Sequence, residues 1–474
     1  MKLNSLSIIL RFALLPLLLV SCAEDELLTS SGQDIDDPIE FGELLNSEDL
    51  AADMNSEVVL RWTDLLLEIE RYTLGMRPNA SARALAYIHL AAYETVVPAM
   101  PDYRSTDDEF QGLRIRNSEL PDEVDWQIAL NATYADVLDH FLINVSGNQK
   151  SEIAVLENQI EETLANTVTE AILESSKEWG AYVAEQIIAF SQTDDEAEAQ
   201  ILDPQPLSYE PPTGPGFWTY SADPERALFP YWGSVRTFAI APEETSTVAP
   251  IEYSEQANSA YFAQMQEVYE SNNTARAEDG EDLWIAEFWS DDVEELMMSP
   301  PARQVSIARQ LIAQYELDLE SSLELMVKLG FSLNDAAVST WKYKYQYMVM
   351  RPNVYIHEFI DPDFQTNLFR LVYWPNPSFP GYPSGHSCFA SAAAGVFIDA
   401  FGDNITFTDR THEGREEFRG APRSFTSFTE MADENGYSRI PLGVHIRIDC
   451  TEGLRLGYEI ADAVNDLDLN RFEN

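Results

Sequence analysis

Ser56-Glu57-Val58-Val59-Leu60-Arg61-Trp62-Thr63-Asp64-Leu65-Leu66-Leu67-Glu68-Ile69 sets Val59, Trp62, Leu65, Leu66 and Ile69 three and four residues apart. That spacing gathers them on one side of a helix with 3.6 residues per turn. After Pro78 the rhythm returns in Ala84, Tyr87, Ile88, Ala91 and Ala92, so 56–97 is expected to be helical. Comparable patterns occupy about 125–143, 152–173, 179–190, 257–269, 301–315, 319–328, 332–349 and 385–401, and the chain closes in helix from about 442. Sustained period-two alternation, the mark of a half-buried strand, is hard to find. The expected fold is all-α: two packed four-helix bundles joined by a long irregular crossover.

The crossover is 201–254, where Pro211-Pro212-Thr213-Gly214-Pro215-Gly216-Phe217-Trp218 and Pro230-Tyr231-Trp232-Gly233 break the helical pattern. A segment this long and irregular is either a functional loop or a packed connection between bundles. A polar loop is expected over 402–437. The division that follows is 1–21, 22–54, 55–255 with the crossover, and 256–474.

The first of these segments has the form of an export signal. Lys2 and Arg11 flank an apolar run that ends in Leu17-Leu18-Leu19-Val20, and Leu19-Val20-Ser21-Cys22 resembles the bacterial lipobox, in which the cysteine is acylated after cleavage. The reading is a lipoprotein signal over 1–21 and a lipid anchor on Cys22, with the protein exported and tethered to a bacterial outer membrane. From Ala23-Glu24-Asp25-Glu26 to about residue 54 the chain is acidic and Ser/Gly/Asp-rich, as a flexible tether would be.

With 29 basic and 81 acidic residues the formal charge is −52. Such a surface repels nucleic acid and anionic membrane, so no nucleic-acid partner is expected and the membrane is reached only through the anchor. Screening by salt would relieve the self-repulsion, which fits a marine or salt-tolerant source. Beyond Cys22 only Cys388 and Cys450 remain, and they either pair as a disulfide or stay as two buried thiols.

Against this acidity, a convergence of basic residues carries information. The last third contains Lys344 and Arg351-Pro352, then Pro383-Ser384-Gly385-His386, then Ser438-Arg439, His445 and Asp449. Each segment alone has an ordinary reading. Seven residues are two helical turns and usually mark a shared solvated face, Pro-Ser-Gly is a common turn, and His before Asp by four is a local helix pair. Together they make one demand. Lys344 and Arg351 would project from one face near the end of a helix that Pro352 stops. Ser384, Gly385 and His386 open a helix rich in small residues, whose N-terminal N–H groups suit a tetrahedral oxyanion. Arg439 adds a planar fork of donors. Three cations and a helix N-terminus describe a highly charged anion, with His386 and His445 beside it and His445 on the final helix. Asp449 either orients a neighbour or lies on the helix surface. His89, His140, His357 and His412 are expected in structural or exposed places.

The pattern Lys-x6-Arg-Pro, Pro-Ser-Gly-His, Ser-Arg-x5-His-x3-Asp resembles the signature shared by vanadium-dependent haloperoxidases and type 2 phosphatidic-acid phosphatases. The resemblance implies that His445 is either the vanadate ligand or the nucleophile that takes up phosphate. It implies an acid–base role for His386, and oxygen-binding positions for Lys344, Arg351, Ser384, Gly385 and Arg439. It also implies that Lys344 polarises bound peroxide.

Several features favour the peroxidase branch. Some 300 residues precede the first motif, whereas the phosphatases are short or membrane-spanning. Phe379 stands where haloperoxidases place an aromatic or histidine next to the halide, and Trp341 before Lys344 also has the haloperoxidase form. Asn334-Asp335-Ala336-Ala337 and Phe288-Trp289-Ser290-Asp291-Asp292 are similar to soluble members too. The implied reaction is vanadate-dependent oxidation of halide, iodide or bromide first, by hydrogen peroxide to hypohalous acid. The alternative is an acid phosphatase with a phosphohistidine intermediate.

Overall fold

The computed structural model describes residues 50–470 apart from 221–224, 292 and 370–375. Cys22 and the 1–21 segment lie outside the described residues. Helix starts are set by side-chain caps: Asp125, Ser146, Thr169, Ser259, Ser299, Asp318, Ser384 and Ser427 each accept a first-turn backbone N–H. Such a cap satisfies a donor that has no partner inside the helix.

The chain before the crossover forms α1 (Glu57–Glu70), α2 (Asn79–Val96), α3 (Trp126–Phe141), α4 (Gly147–Leu164), α5 (Glu170–Ser191) and α6 (Asp195–Leu202). After it come α7 (Ala260–Glu278), α8 (Glu281–Phe288), α9 (Pro300–Tyr315), α10 (Leu319–Tyr347), α11 (Pro352–Phe359), α12 (Gly385–Phe401), α13 (Phe428–Leu442) and α14 (Arg447–Asn465). A two-stranded antiparallel ribbon, β1 (Phe407–Asp409) with β2 (Arg423–Phe425), is the one sheet among the described residues. The all-α expectation holds.

α10 is the spine. It packs against α2 on the N-terminal side and against α12 and α14 on the C-terminal side, while α3 joins α2 to α5. One continuous apolar core runs from Val58 and Trp62 in α1 through α10 to Leu456 and Ile460 in α14. Two glycines illustrate how closely the helices cross. A Cβ on Gly330 would sit 2.9 Å from Ala86 Cα, and one on Gly457 would sit 2.3 Å from the Cys388 carbonyl, so only glycine permits these backbones to meet.

Gly330 explains one departure from expectation. The periodic stretches 319–328 and 332–349 are a single 29-residue helix, because the glycine between them serves a helix crossing and not a break. The expected loop over 402–437 contains the ribbon and the first ten residues of α13. The last helix starts at Arg447, so His445 precedes it. Pro352 does not stop the helix of Lys344: α10 ends at Tyr347, and Pro352 opens α11 from its first position, where a missing N–H costs nothing.

No α-helix lies between Leu202 and Ala260 among the described residues, as the crossover reading requires. Its anchor is Asp335, fully buried in α10. The carboxylate accepts from the backbone N–H groups of Phe238 (2.8 Å), Ala239 (2.8 Å) and Ile240 (3.2 Å), and from Asn334 Nδ2 (3.1 Å). Burial pushes this carboxyl up to about 6 against the pull of those donors. Asp335→Ala would strand the buried Phe238 N–H and the half-buried Ala239 and Ile240 N–H groups, at a cost of about 3–5 kcal/mol. Calorimetry should show a Tm lower by roughly 5–10 °C. An unchanged Tm would mean the crossover does not depend on this anchor.

Candidate active site

Lys344 lies in the last turn of α10 and Arg351 caps α11, so a chain reversal must bring them together. Met348 makes it with φ of 51°, in the left-handed region. The reversal is clamped from both sides. Trp218 N donates to Met348 O (2.6 Å) and Met350 N to Gly216 O (3.0 Å), while Gly381 N donates to Val349 O (2.9 Å). The Pro-rich crossover thus holds the turn that aims two cations at one place.

Lys344 is fully buried, and its Nζ donates to the carbonyls of Pro380 (3.0 Å), Gly381 (3.0 Å) and Pro383 (2.5 Å). Among the described residues no carboxylate lies within ion-pair distance of it. Arg351 donates from Nε to Phe379 O (2.9 Å) and from Nη1 to Val444 O (3.0 Å), and Nη1 meets His445 Nε2 at 3.1 Å. Arg439, on α13, donates to Ser438 Oγ (2.9 Å), Ser290 O (3.4 Å) and Trp289 O. All three cations are 0–1% exposed.

α13 ends at Leu442, and Gly443 turns the chain with φ of 93°. His445, three residues beyond Leu442, can therefore enter the same cavity as Arg439. Its Nδ1 is 3.1 Å from Asp449 Oδ2. Burial first, then Arg351 and Lys344, hold the ring well below the usual histidine range, so it is neutral. A neutral ring that donates from Nδ1 to the carboxylate leaves a lone pair on Nε2, with the tautomer assigned from these contacts. Burial raises the Asp449 carboxyl, Lys344 and the Ile446 N–H lower it.

Ser384 caps α12 by accepting from Ser387 N at 3.4 Å, which leaves the Gly385 and His386 N–H groups without intrahelical partners. Ser384 N in turn donates to Asp449 O (2.9 Å), tying this helix start to α14. His386 sits partly buried with Nε2 3.1 Å from Ser290 O, and burial followed by Arg439 keeps it neutral.

These elements enclose a cavity of about 150 Å³. Arg351, Arg439, His386, His445, Gly385 and Phe379 line it, and Trp341 stands among them. Lys344 and Ser384 form the layer behind this wall. Phe379 stacks on the cations, with its centroid 4.8 Å from Arg351 Cζ and 5.2 Å from Lys344 Nζ, and Trp341 meets Phe379 at 4.8 Å. The indole N–H is engaged by Leu228 O at 3.3 Å.

The electrostatics favour a negatively charged guest. Lys344, His386 and His445 are all pushed down, first by burial and then by neighbouring cations. Bringing in an oxyanion would relieve that mutual repulsion, and it would also meet the helix N-terminus and the His445 lone pair. Among the described residues no group of three His, Cys, Asp or Glu side chains converges as a cage for a metal cation. The donor set therefore fits an oxyanion whose central atom accepts one imidazole nitrogen. Cys388 and Cys450 are two buried free thiols and not a disulfide, and burial pushes Cys388 up to about 12.

The family model of the VCPO second helical-bundle domain matches residues 324–474, which include the whole motif set. The vanadium chloroperoxidase of Curvularia inaequalis is 23% identical over 83% of this chain and 79% of its own length. The family-model match places residues 324–474 in the VCPO second helical-bundle domain family. The crystal structure of a bacterial vanadium-dependent iodoperoxidase superposes with a TM-score of 0.77 at 24% identity, covering 89% of this chain and 98% of the other. The holo form of a bacterial vanadium-dependent chloroperoxidase gives 0.62 at 15%, with coverage of 83% and 92%.

The haloperoxidase motifs do not account for the whole wall. The Trp289, Ser290 and Asp291 carbonyls form a ridge that receives Arg439, His386 and, from the N-terminal half, Arg77 (2.9 Å). Behind this ridge Arg303 binds Asp409 (3.0 Å), Asp291 (3.4 Å) and His412, all buried. A backbone carbonyl leaves no side-chain signature, and Arg77 belongs to no motif. The Phe288-to-Asp292 likeness was the one sequence signal for the ridge.

Proposed function

We propose that this protein is a haloperoxidase that uses vanadate and hydrogen peroxide to oxidise a halide, iodide or bromide first, to hypohalous acid: H2O2 + X⁻ + H⁺ gives HOX + H2O. One observation carries the reading. His445 Nε2, three buried cations and the head of α12 meet at a single cavity. Bound vanadate would supply a Lewis-acidic centre at which peroxide is made open to attack by halide. His445 would offer Nε2 to the vanadium, with Asp449 fixing the ring through Nδ1. Lys344, Arg351, Arg439, Ser384 and the Gly385 N–H would hold the oxygens. His386, neutral and lining the cavity, would accept the proton that peroxide loses on binding.

The halide preference rests on the marine lean in composition. The phosphomonoesterase alternative makes the opposite forecast for vanadate. The protein loaded with vanadate is given peroxide and each halide in turn, and the vanadate-free protein is given an aryl phosphate. Halide oxidation that requires vanadate is expected. Phosphate-ester turnover blocked by vanadate, with no halide oxidised, would overturn the reading.

We further propose export, with acylation at Cys22 and a tether over 22–54 ahead of the 55–255 and 256–474 regions. No helix among the described residues is long and apolar enough to cross a membrane, so membrane attachment would reside in the anchor. Cys22→Ala should move the protein from the membrane fraction to the soluble fraction. Equal membrane recovery of the variant would discard the anchor.

A further inference from the structure

The oxyanion reading assigns three cations of the cavity, but a fourth lines it. Arg77 comes from the loop between α1 and α2, far from the motif set, and is 7% exposed. Its Nη2 donates to Asp291 O (2.9 Å), and its Nε is 4.0 Å from Glu70 Oε1. Glu70 is itself occupied by Ser81 Oγ (2.7 Å) and Ser299 N (3.1 Å). Neither Nε nor Nη1 of Arg77 has a hydrogen-bond partner among the described residues. A buried guanidinium with two unmatched donor nitrogens is costly unless something else meets it.

Its position along the ridge is informative. His386 and Arg439 bind Ser290 O, and Arg77 binds the next carbonyl. Arg77 therefore stands one residue beyond the acid–base histidine, at the side of the nest and not within it. The two places differ in charge. Three cations and a helix head match a multiply charged oxyanion, whereas one guanidinium in a wall that also carries Pro78, Pro300 and Leu228 matches a single monovalent anion. Apolar walls favour the larger halides, which lose less hydration on entry. Asp291 lines the cavity as well, but its carboxylate is bound to Arg303. Glu294 is the other lining carboxyl. Burial raises it, and Arg77 pulls it back down.

We propose that Arg77 holds the halide beside the oxyanion nest, as a second anion subsite whose strength is set by the opposing Glu294. The inference rests on the haloperoxidase reading. In this subsite the guanidinium receives the ion and presents it next to His386, and Glu294 weakens the hold so that the ion can leave for the reacting oxygen.

Crystals of the vanadate-loaded enzyme soaked in bromide without peroxide should show an anomalous peak at the Arg77 guanidinium. In solution Arg77→Gln should raise the halide KM on the order of tenfold while kcat and the peroxide KM stay within about twofold. Glu294→Gln should lower the halide KM, a change that loss of a merely structural contact would not produce. Should Arg77→Gln fail to fold, the bromide map and Glu294→Gln still decide. No bromide peak at Arg77, or an unchanged halide KM in Glu294→Gln, would overturn the subsite. So would a parallel rise in both KM values in Arg77→Gln. A wild-type enzyme that oxidises no halide would overturn the functional reading, and the bromide map, which needs no turnover, would report on the subsite separately.

Discussion

His445→Ala is expected to lower halide oxidation by more than about 100-fold and to remove vanadate binding, because outer partners of a metal-bound histidine alone are worth 10–100-fold. The argument starts from the ring's two nitrogens. Nδ1 is committed to Asp449 at 3.1 Å, and burial with Arg351 and Lys344 keeps the ring neutral, so Nε2 keeps its lone pair at the cavity wall, where Arg351 Nη1 meets it at 3.1 Å. Alanine deletes that lone pair and leaves the cations in place, so any residual affinity reports on charge alone. Asp449→Asn is a milder probe of the same link. It keeps the shape but weakens the pull on Nδ1–H, and should cost vanadate affinity within that 10–100-fold range. Vanadate titration by calorimetry and halide turnover should fall together, with circular dichroism unchanged. Wild-type affinity in His445→Ala would remove the ligand assignment.

The helices were legible where one face is apolar. Trp62, Leu65 and Ile69 in α1, and Leu323, Met326 and Phe331 in α10, follow the helical period and are buried. α13 was missed for the converse reason: its inward face carries Asn435, Ser438 and Arg439, side chains that serve the site and erase the apolar stripe. The motif residues Lys344, Arg351, His386, Arg439 and His445 meet as their spacing implied, but by other means. Met348 and Gly443 turn the chain in the left-handed region, and the crossover clamps the first of these turns. Those devices depend on long-range backbone contacts that no local pattern encodes. Arg77 and the Trp289-to-Asp291 carbonyls were illegible for the same reason.

His89→Leu is expected to reduce the acid sensitivity of the fold. His89 lies inside α2 at 1% exposure, neither ring nitrogen has a hydrogen-bond partner among the described residues, and burial alone lowers it to about 3. The unfolded chain binds a proton there near the ordinary value of 6.5, and the folded chain refuses it until about 3. Stability contributed by this site is thus whole above pH 6.5 and drains away as pH falls toward 3, by up to about 5 kcal/mol. At pH 5 the loss is about 2 kcal/mol. Leucine has nearly the same volume and forfeits no hydrogen bond, so the variant should match or exceed wild type at pH 8 and gain on it steadily as pH drops. Comparing the two proteins isolates this site from the carboxylates, which titrate identically in both. Parallel Tm curves for the two proteins between pH 8 and pH 5 would mean that His89 finds a proton acceptor in the folded core, and its burial would then carry no acid penalty.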